Sequence, residues 1–165
     1  MKHFPHVLML PLLTLPVLMV SAAPAVSQSV GDCGEWTSVR NLPEPWENSI
    51  ATYADGKVRL AILDTLEPAA AAVHLMVLSP PLNELGERQC KTVSFSGPPD
   101  SEGWPSGFMS VDFAGRQAAY NPQTGLQIVF PIQVFNPDTA DGDHGELSIT
   151  INQHSGDVTA EVTGE

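Results

Sequence analysis

Ile50-Ala-Thr-Tyr-Ala-Asp-Gly-Lys-Val-Arg-Leu-Ala-Ile-Leu63 is the stretch whose pattern decides the fold class. Asp55-Gly56 sits between two strand-like runs, and this dipeptide tolerates the positive φ of a tight hairpin turn. After the turn, Val58, Leu60 and Ile62 alternate with Lys57, Arg59 and Ala61. A period of two places one set of side chains on each face of a pleated strand. A hairpin over these residues is the expectation.

Working outward, the same signal recurs. Leu147, Ile149 and Ile151 alternate with Ser148, Thr150 and Asn152, and Val158, Ala160 and Val162 alternate with Thr159, Glu161 and Thr163. The turn His154-Ser-Gly156 separates the two runs. Leu126 to Phe135 reads as the longest strand, entered through Asn121-Pro-Gln-Thr-Gly125, with glycine placed for a left-handed residue. Pro131 has no amide to give to a ladder, which predicts an edge position or a bulge. Gln117 to Tyr120, Phe108 to Phe113 and Cys90 to Phe95 read as further short strands. In the second of these, Phe108, Ser110 and Asp112 are expected to face opposite Met109, Val111 and Phe113.

Glu67 to Leu78 is ambiguous: Pro68 and four following alanines suit a helix, whereas Val73, Leu75 and Val77 beside Met76 and Leu78 suit a buried strand. A strand from about Ala71, stopped by Pro80-Pro81, is preferred. Prolines also bar helix just ahead of them, so residues 41–48 are expected to be extended or turn. Many short strands with turn signals between them predict an all-β domain, an antiparallel β-sandwich, with a small β-barrel as the alternative.

The N-terminus reads differently. Lys2 precedes an apolar run from Val7 to Val20, and Ser21-Ala-Ala-Pro-Ala25 closes it. Charge, apolar stretch and small-residue exit form a secretory signal peptide over residues 1–25, with cleavage after Ala23 or Ala25. The run is short for a spanning helix and carries Pro11 and Pro16, so no membrane insertion is expected after cleavage. Residues 26–35 read as a polar leader, loosely ordered up to Cys33, and residues 36–165 as a single β domain. Export places the chain in the periplasm or outside the cell. In that oxidising setting the two cysteines, Cys33 and Cys90, read as a disulfide. No Cys-x-x-Cys occurs to suggest redox chemistry.

The chain has 19 acidic residues against 7 lysines and arginines, a formal charge of −12. Nucleic acid and anionic lipid are bound through lysine and arginine that displace counterions, so the acidic balance argues against both.

Four acidic side chains, Asp138, Asp141, Asp143 and Glu146, fall in the segment 136–146 with Gly142 and Gly145. Clustered carboxylates in a glycine-bearing loop can supply the oxygens calcium wants. Asp, Asn and Gly are equally the residues of solvated turns, and the spacing is not that of an EF-hand. The preferred reading needs no cofactor; calcium is the alternative. Zinc would require His74, His144 or His154 to converge with other ligands, and His74, inside an apolar run, reads instead as a partly buried, hydrogen-bonded side chain. No Gly-x-Ser-x-Gly elbow exists, and Gly103-Trp-Pro-Ser-Gly107 has the wrong spacing.

Two tryptophans stand in Pro- and Gly-rich segments. Trp46 is expected to fold back and cap one end of the sandwich. Trp104, in the loop 97–107, is the candidate binding anchor, because an indole buries much area at little rotamer cost. Together these features favour a non-enzymatic binding or structural module of the cell envelope. Its partner would be a protein or another envelope component. A calcium-stabilised domain and a hydrolase of an envelope substrate are the alternatives.

Overall fold

The computed structural model describes residues 29–95 and 105–164. The expected signal peptide 1–25, the first residues of the expected leader and Trp104 lie outside the described residues. The described residues fold as two five-stranded antiparallel sheets that do not close into a barrel. The first sheet contains β1 (Ser29–Asp32), β2 (Ile50–Tyr53), β3 (Val58–Asp64), β4 (Val73–Leu82) and β5 (Arg88–Ser94), in the order β1-β5-β4-β3-β2. The second contains β6 (Ser110–Val111), β7 (Gln117–Asn121), β8 (Gly125–Asn136), β9 (Asp141–Ile151) and β10 (Val158–Gly164). Its order is β10-β9-β8-β6, with β7 also pairing with β8.

The Asp55-Gly56 hairpin forms as its sequence demands. Ala54, Asp55 and Gly56 all have positive φ, and Lys57 N–H donates to Ala54 O at 3.1 Å. Register follows, with Tyr53 opposite Val58 and Ala51 opposite Leu60. Val58, Leu60 and Ile62 then point inward onto Leu75, Val77, Ile128, Phe130, Leu147, Ile149 and Ile151, and all of these belong to one core cluster. Burying a Leu, Ile or Phe side chain contributes about 2 kcal/mol, so this inter-sheet layer is the main source of stability.

Several expectations are corrected by the tertiary structure. The leader is not loose from Ser29 onward, because Ser29–Asp32 pair with Ser94–Lys91 at the edge of the first sheet. The 41–48 segment does carry helical geometry: Val39–Asn41 make a 3-10 turn and Trp46–Ser49 a single α-turn, with Pro45 at its N-cap. Proline disfavours helix before itself and not after, and a chain that starts to coil just past Pro45 satisfies both. Pro80-Pro81 do not stop β4. The strand runs on to Leu82 with a register shift between Ser79 and Leu82, an irregularity that accommodates residues without amide donors.

Pro131 lies on neither an edge nor a bulge. β8 is central, with β9 along one side and β6 and β7 on the other. β7 pairs only as far as Val129 and β6 begins at Ile132, so the proline falls in the gap between them, where Asp112 N–H donates to its carbonyl at 2.8 Å.

The segment 108–113 does not alternate as a strand should. Phe108 and Phe113 are both buried, because Phe108 bridges to Val73 of the first sheet while Ser110 and Val111 already pair with the second. The chain is changing sheets here, and period-two logic fails across the crossing.

Candidate functional site

Three places bring chemically capable side chains together. The first is the 136–146 segment. β8 and β9 pair up to Asn136 opposite Asp141, which reduces the loop to residues 137–140. Its polar groups are spent on the turn: Asn136 Oδ1 accepts from Asp138 N–H at 2.9 Å, Asn136 Nδ2 donates to Asp143 at 2.8 Å, and Asp141 Oδ1 accepts from Gly142 N–H at 2.8 Å. Asp141 and Asp143 share the face of Leu147, whereas Glu146 shares the opposite face with Ser148, since neighbours on a strand alternate. Among the described residues no group of three or more His, Cys, Asp or Glu side chains is close enough to hold a metal ion. Asp138, Asp141, Asp143 and Glu146 are thus not brought into one ligand set.

The second place is the outer face of the first sheet. The period of two puts Ala61, Leu63, His74, Met76, Cys90, Thr92 and Ser94 on that face. Cys33 follows β1 and bonds to Cys90 across it, with Cα atoms 5.4 Å apart, so the expected disulfide is present and fits an exported protein. From Cys33 the chain continues as a strap over the same face. There the Trp36 ring lies 4.7 Å from the His74 ring, tilted by 57°.

His74 is 2% exposed and Ser94 1% exposed; His74 Nδ1 and Ser94 Oγ are 2.8 Å apart. Gly107 completes the enclosure. A Cβ there would lie 2.6 Å from the carbonyls of Ala71 and Val73 and 2.9 Å from His74 Cε1, so only glycine lets the crossing strand approach so closely. Burial lowers the His74 pKa from 6.5 to about 4, against the opposing pull of the Asp64 carboxylate. The imidazole is neutral at ordinary pH and able to take a proton from a hydroxyl. Both groups are sealed from solvent, however, and a nucleophile at Ser94 would meet no substrate. Sequence patterning placed His74 correctly in an apolar strand. Its pairing with Ser94 depends on the β4–β5 register, which no local signal reveals.

The third place is the side of the sandwich where β2 and β7 are the outer strands. All five residues of β7, Gln117-Ala-Ala-Tyr-Asn121, are exposed, with no charge and no proline among them. Ala118 and Tyr120 are opposite Ile128 and Leu126, so they stand on the core-facing side, yet Tyr120 is 66% exposed. The facing strand β2 ends at Tyr53, whose hydroxyl accepts from Arg116 Nε at 2.8 Å. Arg116 also lies 4.3 Å from the centroid of the Phe113 ring and donates to the Phe113 carbonyl. β7 extends past this strut with its core side uncovered and its outer edge unpaired among the described residues.

Trp46, expected to fold back, is 50% exposed. Its α-turn holds it beside Glu44, Pro45 and Glu47 in a shallow depression. No helix among the described residues is long and apolar enough to cross a membrane. No family model, no curated protein and no solved structure matches this chain.

Proposed function

We propose that the chain is an exported, non-enzymatic binding module of the cell envelope, working in the periplasm or outside the cell. Its partner is a protein or other envelope component that supplies an extended segment to β7. The observation that carries this reading is the free edge of β7, uncharged, without proline and exposed on both faces. Natural proteins usually blunt such edges with charge, proline or a covering loop, since an open edge pairs with other chains. Adding a strand to an exposed edge is also a common way of binding extended peptides. The Cys33–Cys90 disulfide supports the exported location, and the sealing of Ser94 and His74 supports a role other than hydrolysis.

Two proline variants test the reading. Successive amides of a strand point to opposite sides, so of Ala118→Pro and Ala119→Pro one removes a donor to β8 and the other removes a donor to the free edge. The variant with the higher melting temperature identifies the outward amide. With the mature protein immobilised and challenged with solubilised envelope fractions, this stable variant is expected to lose the specific retention shown by the unaltered protein. Retention equal to that of the unaltered protein would remove β7 from the account.

A further inference from the structure

Among the described residues the outer strands are β1 and β2 in the first sheet and β10, β6 and β7 in the second. All but β7 carry or adjoin acid. β1 contains Asp32, and β10 has Glu161 at its midpoint. β2 lies between Glu47 and Asp55, and the two residues of β6 are followed by Asp112. Copies of a chain with a formal charge of −12 repel one another, and like charges set opposite each other across paired strands destabilise the pair. β7 escapes both costs. Gln117–Asn121 has no charge, and its chain neighbours are Arg116 and Pro122.

β7 also fits itself. Turned antiparallel about a two-fold axis at Ala119, Ala118 stands opposite Tyr120 of the second copy and Gln117 opposite its Asn121. Ala118 and Tyr120 share the core-facing side, across from Ile128 and Leu126. Large therefore meets small twice, and each exposed Tyr120 ring gains the other copy's Ala118 to lie on, over the side of β7 that nothing in its own copy covers. On the opposite side the Gln117 and Asn121 amides can each donate and accept. Arg116 comes opposite Pro122, so no like charges meet at either end.

We propose, resting on the reading of β7 as a pairing edge, that this edge is taken by β7 of a second copy, so that the second sheets of two copies run on into one another. The ladder would exchange about four to six backbone hydrogen bonds, according to which amides face outward. A two-fold pairing uses the edge of both copies, so assembly closes at the dimer and does not continue as a filament. An extended envelope segment can reach β7 only by displacing the second copy, and the dimer thereby guards the site. The contact is short, so it dissociates in the micromolar to millimolar range.

The test is sedimentation equilibrium of the oxidised mature protein from micromolar to millimolar concentration. A reversible monomer–dimer equilibrium is expected, strengthened by added salt because the net charge is screened. Ala119→Glu sets two carboxylates against each other at the axis and should weaken association by about tenfold or more. Ala119→Lys should do the same alone, and an equimolar mixture of the two variants should recover the dimer, since an axis at this residue brings opposite charges together. Tyr120→Ala should also weaken association. Both side chains are exposed in the single copy, so melting at low concentration should not change. A chain that is monomeric at every concentration, a dimer indifferent to Ala119→Glu, or a mixture that does not recover would each overturn the self-pairing. The pairing-edge reading would still stand if the outward proline variant lost its envelope partner. Conversely, a dimer that obeys these substitutions while no envelope component is retained would support the self-pairing and remove the envelope partner alone.

Discussion

Replacing Cys33 and Cys90 together by alanine opens a covalent loop whose ends are 57 residues apart in sequence. In the chain-entropy description, a crosslink stabilises by denying the unfolded ensemble its freedom, and a loop of this length contributes about 4 kcal/mol. For a domain of this size each kcal/mol moves the melting point by about 4 °C, so the double variant should melt roughly 15 °C lower. Native contacts change little, because Ser29–Asp32 still pair with β5 and Cys33 N–H still has the Cys90 carbonyl as acceptor at 3.3 Å. Two signatures follow. Urea unfolding should show a lower midpoint with a larger slope, since an unlinked unfolded chain exposes more surface. Native-state exchange of β3, β4, β8 and β9 measured relative to global unfolding should keep its order. A fall of less than about 4 °C, equivalent to about 1 kcal/mol, would refute the reasoning. It would mean that the ends of the loop stay close in the unfolded chain.

The other expectations concern packing, backbone and calcium. Ile149, fully buried between the sheets, should cost about 3 kcal/mol as Ile149→Ala, whereas Leu85→Ser, at a side chain 84% exposed, should stay within about 0.5 kcal/mol; chemical denaturation of both measures the contrast. Gly125→Ala should destabilise by about 3 kcal/mol, because φ there is +107° and the new Cβ would lie 2.2 Å from the Ile151 carbonyl oxygen; thermal unfolding reads the loss. With Asp143 and Glu146 on opposite faces of β9, melting curves in calcium and in chelator should coincide within about 1 °C. A calcium-dependent rise abolished by Asp141→Asn with Asp143→Asn would instead make the hairpin a site.

The strands were legible wherever side chains alternate against one core. Val58-Leu60-Ile62 and Leu147-Ile149-Ile151 state their face in the sequence, because burial on one side of a pleated strand requires a period of two. Asp55-Gly56 gave its turn for the same local reason, the backbone angles that these residues permit. The Cys33–Cys90 pairing needed only parity and the expectation of an oxidising compartment. What local pattern could not carry were contacts between distant segments. Ser29–Asp32 are too few and too polar to announce a strand, and they become one only because β5 offers an unpaired edge. Pro131 looks like an edge residue until β6 and β7 leave a gap opposite it. Phe108 and Phe113 break alternation because their backbone passes between sheets.

The same division holds for function. The sequence by itself determined an acidic, disulfide-bearing all-β domain and raised the expectation of export, since charge, cysteine count, the N-terminal apolar run and periodicity are properties of the chain alone. Only the tertiary structure decided that the acidic residues of the 136–146 hairpin point to opposite faces, that His74 meets Ser94 beneath Trp36, and that β7 projects with its core side bare. Each of these depends on register and on which sheet covers which, and those are set by long-range packing, to which no window of sequence has access.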